Sequence, residues 1–98
     1  MFVAEVVGSV WGQYKHPSLE GRRLLLVRPV DPFTGEPLGE AQMAVAAGVD
    51  AGPGGIVLVM DEGGSARQML GDAKAPVRAV VCGVVDKVST GERSKHYA

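Results

Sequence analysis

Apolar residues along this chain fall into short runs separated by glycine and proline at intervals of about 8 to 20 residues, the rhythm of strands joined by turns. Helix-length periodicity is missing. The first run, FVAEVVGSVW (2–11), alternates and predicts a strand. Phe2, Ala4, Val6, Gly8 and Val10 fall on one face suited to a tight core, and Val3, Glu5, Val7, Ser9 and Trp11 on a mixed second face. A turn-prone stretch, QYKHPSLEG (13–21), leads to a second strand in RRLLLVRPV (22–30). Its Pro29 cannot donate to a ladder and marks an edge or a strand end. DPFTGEPLG (31–39) carries hairpin chemistry in Asp31, Pro32 and Gly35. In AQMAVAA (41–47), Ala and Met favour helix, but the position between two turns favours the strand read here.

The second half follows the same rhythm. Pro53 and Gly54 fit the central positions of a type II turn, because proline presets the negative φ of the first and glycine accepts the positive φ of the second. A strand follows from Ile56 to Met60. SARQML (65–70) is predicted as one helical turn, with Ser65 as its cap and Gly71 as its stop. After Pro76, VRAVVCGVVDKV (77–88) reads as the last strand, with Gly83 marking a bend or a close backbone approach. The polar GERSKHYA (91–98) reads as a frayed tail. Five strands with a short helical segment between the fourth and fifth predict an all-β fold, a small five-stranded closed barrel of one domain over residues 1–90. Closure removes the sticky edges of apolar strands.

Composition sharpens this picture. Across 98 residues the chain is 46% hydrophobic, more than so small a body can hide inside itself, so part of the apolar surface is expected to meet other subunits. A formal net charge of -1 gives no general attraction for nucleic acid or anionic lipid. The lone Cys82 closes no internal disulfide, no N-terminal run has the pattern of a secretory leader, and no apolar run is long enough for a membrane-spanning helix; the expected setting is soluble, cytosolic and reduced.

Candidate chemistry is sparse. The Gly-Gly-Ser-Ala-Arg segment (Gly63, Gly64, Ser65, Ala66, Arg67) lacks the lysine of a phosphate-binding P-loop and the full helix of a dinucleotide fingerprint, so it reads as a corner. Cys82, among valines, reads as a small buried hydrophobe. His16 and His96 have no zinc-like spacing with it. The scattered carboxylates Glu5, Asp31, Glu36, Asp50, Asp61, Glu62 and Asp86 select no catalytic pair. Phe2, Trp11, Tyr14, Phe33 and Tyr97 do not share one predicted face, which weakens any base-stacking role; Trp11 reads as a packing or interface residue.

Taken together, VVGSV (6–10), Lys15 with LEG (19–21), LLLVRPVDP (24–32), AGPG (51–54), VLV (57–59), GGSAR (63–67) and APVRAVVCGVVD (75–86) resemble, in order, the EutN/CcmL family of bacterial microcompartment vertex proteins. The resemblance implies a barrel of the oligonucleotide-binding-fold type that forms homopentamers at the corners of polyhedral shells in the cytoplasm. It further implies hexameric or trimeric facet proteins as partners, with no catalytic residues, metal or cofactor, no nucleic acid and no membrane. Gly63, Gly64, Ser65, Ala66 and Arg67 are expected near a subunit contact or the axial opening. This chain departs from the family where a second serine is common (Gly64), where aspartate is frequent (Ala47 and Arg78) and where glycine is frequent (Asp50). A small nucleic-acid-binding barrel is the alternative, and a small hydrolase built on the glycine turn ranks last.

Overall fold

The computed structural model of the chain describes residues 1–10, 17–19, 21–73 and 78–97. Trp11, Tyr14, Lys15, His16 and Pro76, and the side chain of Ser65, lie outside the described residues. Five strands, β1 (Phe2–Val10), β2 (Leu24–Pro29), β3 (Gln42–Ala46), β4 (Ile56–Asp61) and β5 (Ala79–Val84), close a barrel in the order β1-β2-β3-β5-β4, with β4 returning to β1. The helix α1 (Gly63–Leu70) lies between β4 and β5, and a short 3-10 turn spans Pro17–Leu19. All neighbours are antiparallel except β3 and β5, which pair in parallel through Val45↔Val80 and Ala46↔Val81. The expected closed barrel with one short helix is therefore the observed fold.

The turns form where their chemistry allows. Gly54 adopts φ 87°, and the Gly55 N–H donates to the Gly52 carbonyl at 3.0 Å, which completes the type II turn at Pro53-Gly54. Asp31 organises the link from β2 to β3: its carboxylate accepts from the Phe33 and Thr34 N–H groups at 2.8 and 3.0 Å, and Gly35 takes φ 77°. Pro29 ends β2, as its missing N–H requires.

Two irregularities decide which side chains face the core. In β1 the register slips between Val6 and Gly8, so Ala4 and Val6 point inward while Gly8 and Val10 pair with Leu26 and Leu24 on the outer wall. This corrects the single even-numbered face read from sequence: one bulged residue, Val7, swaps the faces beyond it. In β5 the slip falls at Cys82, so Val80 points outward and Val84 pairs with core-facing Val57.

The inner core contains Ala4, Val6, Leu25, Val27, Val57 and Val81, all fully buried or nearly so, with small alanines from β3 and β5 beside them. A second cluster forms outside the barrel, where Val45 and Val80 meet Ala66 and Leu70 of α1. That is why β3 and β5 bury successive residues instead of alternating ones.

The C-terminal region differs from expectation. The predicted last strand is divided: β5 stops at Val84, where the Val85 N–H closes the barrel ladder on Ile56, and a separate strand β6 (Lys87–Ser89) begins. It pairs antiparallel with β7 (Ser94–His96). The segment read as a frayed tail is thus half of a hairpin, anchored by Tyr97, whose hydroxyl donates to the Pro32 carbonyl at 2.6 Å and whose N–H donates to Asp86. Arg93 stacks over Phe33 at 4.4 Å from the ring centre.

Candidate assembly surface

Helix α1 absorbs the whole Gly-Gly-Ser-Ala-Arg segment. Glu62 is its cap: the Glu62 carbonyl accepts from the Ala66 N–H at 2.8 Å, and the Glu62 carboxylate accepts from the Gly64 N–H at 2.7 Å. The cap expected at Ser65 is therefore corrected, and the helix starts two residues earlier. Two glycines are poor helix formers, so the sequence pattern concealed this first turn. The stop at Gly71 is as read. Gly71 takes φ 68°, its N–H donates to Gln68, and the Asp72 N–H donates to Arg67, the paired bonds of a Schellman ending.

Sequence reasoning missed Arg22. Its Nη2 donates to the Leu70 carbonyl and its Nε to the Ser18 carbonyl, both at 2.9 Å, so one guanidinium ties the 3-10 turn to the negative end of α1. The helix is thereby pinned at its C-terminus as well as through Ala66 and Leu70.

The residues expected at a contact or an opening occupy different environments. Ala66 is fully buried against the outer face of β3 and β5, whereas Gly64 is exposed, and Gly63 and Arg67 are half-buried. What α1 offers to solvent is the side carrying Gly64, Gln68 and Met69, the last 44% exposed.

The outer wall of β1, β2 and β3 offers more apolar surface. Opposed residues share a face, so Gly8, Leu26 and Met43 form one row and Val10, Leu24 and Val45 the next. Val45 is covered by α1, but Leu24 and Leu26 are only half-buried and Met43 is 60% exposed. Where β3 diverges from β5, an apolar groove of about 250 Å³ opens beside Leu19, Leu24, Met43 and Val45. Asp61 and Arg78 close its rim, paired at 3.2 Å. The signal for this wall lay in LLLVRP, apolar on both faces, a pattern that a barrel with a solvated exterior does not need.

The chemistry of the remaining groups is modest. Cys82 is half-buried, more open than its valine neighbours suggested, and its thiol lies 3.5 Å from the Leu58 carbonyl. Asp50 and Arg78, two departures from the family pattern, each have an opposite charge nearby, Arg23 at 3.6 Å and Asp61 at 3.2 Å. Both pairs lie at the surface, where such contacts contribute little. No cluster of metal-ligating side chains occurs among the described residues. Among the described aromatic residues, Phe2 packs against the inner core, while Phe33 and Tyr97 are engaged at the hairpin and form no stacking platform on a barrel face. No helix among the described residues is long and apolar enough to cross a membrane.

Known proteins share this arrangement. The family profile described as ethanolamine utilisation protein EutN/carboxysome matches residues 1–86. The carboxysome shell vertex protein CcmL of Gloeobacter violaceus is 41% identical over 93 residues, covering 95% of this chain and 90% of the relative. The solved structure of CcmL from Nostoc superposes with a TM-score of 0.85 at 36% identity, covering 96% of both chains. GrpN, a pentameric microcompartment shell protein from Rhodospirillum rubrum, superposes with a TM-score of 0.78 at 38% identity, covering 92% of this chain and 99% of that one.

Proposed function

The chain belongs to the EutN/CcmL family, and from that membership we propose that it is a structural shell protein of a bacterial microcompartment, forming homopentamers that cap the vertices of a polyhedral shell. The observation that carries the reading to this chain is its outer wall. Leu24, Leu26 and Met43 leave apolar surface uncovered on a barrel whose interior is already filled. Fully burying one such side chain contributes about 1.5 to 3 kcal/mol, so a few per contact offset much of the cost of association. A ring of five satisfies every copy equally, because one patch meets a different patch on the next subunit and the rotation closes.

In this reading the segment from Gly63 to Arg67, with Gly64 exposed and Arg67 half-buried, lies near a subunit contact or the axial opening, while Ala66 holds the helix on the barrel. The ring fills the corner where five facets meet, beside hexameric or trimeric facet proteins, in the cytoplasm. The role is geometric and calls for no catalytic group: closing the corner retains the enclosed enzymes and their intermediates. Electron microscopy of shells assembled with and without this chain tests the role. Closed corners are expected only with it, and equally closed shells in its absence would refute the assignment.

A further inference from the structure

The barrel ladder ends and the β6–β7 hairpin begins at adjacent residues. The Val85 N–H donates to the Ile56 carbonyl at 2.8 Å, closing the barrel, and the Asp86 carbonyl accepts from the Tyr97 N–H at 2.7 Å, opening the hairpin. Among the described residues no ladder joins β6 or β7 to β1 through β5. A hairpin of three residues a side is marginal in water, so this arm takes its order from outside itself. Both of its ends rest on consecutive residues of the link after β2. At the base the Tyr97 hydroxyl donates to the Pro32 carbonyl, and at the turn Arg93 lies over the Phe33 ring.

The link that receives the arm holds itself together. The Asp31 carboxylate accepts from the Phe33 and Thr34 N–H groups, the Gly35 N–H donates to the Asp31 carbonyl, and the Asp31 N–H donates to Glu36. The Leu38 N–H closes the segment on the Pro29 carbonyl at 2.8 Å. Each of these bonds is local, so the seat forms without the arm, whereas the arm lacks a comparable support of its own.

We infer that the arm is a latch that folds only against this seat: β6 and β7 open and lose their ladder as one unit while the seat and the barrel stay folded. Tyr97 is the catch at its base and Arg93 the catch at its turn. Opening uncovers the Phe33 ring and frees the chain beyond Asp86, at a cost below that of unfolding the barrel. The latch does not rest on the ring proposed above, because every contact it uses lies within one chain.

Amide hydrogen exchange of the full chain, read residue by residue by NMR at neutral pH and one protein concentration, tests the latch. Tyr97→Phe keeps the ring and the backbone N–H and removes only the hydroxyl donor. Once intrinsic rates are allowed for, the amide at position 97 and that of Thr90, which bonds Arg93 at the far end of the hairpin, are expected to exchange faster by one common factor. That factor is roughly two to ten, the loss of one hydrogen bond. Gly35 in the seat and Val6 and Val85 in the barrel are expected to keep their wild-type rates. Asp31→Ala, which removes the organiser of the seat, is expected to speed Gly35 and Thr90 together. A Thr90 amide unmoved by Tyr97→Phe would mean that the hairpin frays piecemeal, and Gly35 or Val85 accelerating by the same factor would mean that the arm opens only with its surroundings; either overturns the latch. An arm that stays protected in Asp31→Ala while Gly35 is released overturns the seat as the source of its order.

Discussion

Asp31 shows how much one carboxylate can organise. It accepts from two successive backbone N–H groups, and the Thr34 N–H, then the Phe33 N–H, hold its pKa below the ordinary aspartate value of 3.8, with Arg93 adding attraction. Desolvation works in the opposite direction and outweighs the Arg93 attraction, but not the two backbone hydrogen bonds. Because the folded pKa is the lower one, ionised Asp31 stabilises the loop fully well above pH 3.8, and the contribution fades as pH falls through 3.8 and then through the folded value. The same loop supplies Pro32 and Phe33 to the arm, so acid is expected to loosen loop and hairpin together. An NMR titration of the Asp31 carboxyl should give a midpoint below 3.8, accompanied by faster amide exchange at residues 94–96. A midpoint at or above the ordinary value would contradict this. Single residues are also where sequence reading met its limit. Val7 and Cys82 each take an unpaired place in a ladder, and nothing in the local letters distinguishes them from neighbours that stay in register.

Among the elements, α1 depends most on its two ends. Gly71 sits at φ 68°, and a Cβ there would meet no atom within 4 Å, so Gly71→Ala isolates backbone strain from packing. The substitution is expected to cost about 1 to 2 kcal/mol, or a fall of roughly 4 to 16 °C in melting temperature for a domain of this size. Thermal unfolding at one fixed protein concentration measures it, since association would otherwise shift the midpoint. An unchanged midpoint would mean that the helix ending carries no strain. The strands, the Pro53-Gly54 turn, the end of β2 at Pro29 and the stop at Gly71 were legible because each depends on local chemistry: alternation, a preset φ, a missing donor or a tolerated positive φ. The start of α1 was not, because Glu62 caps through its carbonyl and carboxylate ahead of two residues with poor helix propensity. Nor was the hairpin, whose order comes from partners 65 residues away in sequence at Pro32 and in the neighbouring Phe33. Arg22 belongs to the same class, reaching Leu70 across 48 residues.

For the whole molecule, a closed ladder leaves the barrel no open edge to pair with another chain, so in the proposed ring the contacts fall to side chains on its wall. Bulges at Val7 and Cys82 bend the strands toward closure, and the β1 bulge also turns Gly8 and Val10 onto the outer wall beside Leu26 and Leu24. The inner and outer faces thus differ in composition: valines, alanines and Leu25 fill the inside, and Leu24, Leu26 and Met43 stay partly or largely uncovered outside. The candidate assembly surface was only partly readable, because the excess of apolar residues announced partners while their location awaited the register. Native mass spectrometry of the full chain, beside a Leu26→Asp variant, counts the copies that this outer wall holds together. Five copies are expected for the wild type, and a shift toward single chains for the variant, whose carboxylate would be left unpaired in the contact. A wild type that flies as a single chain, or a Leu26→Asp variant that keeps all five copies, would contradict the proposed ring.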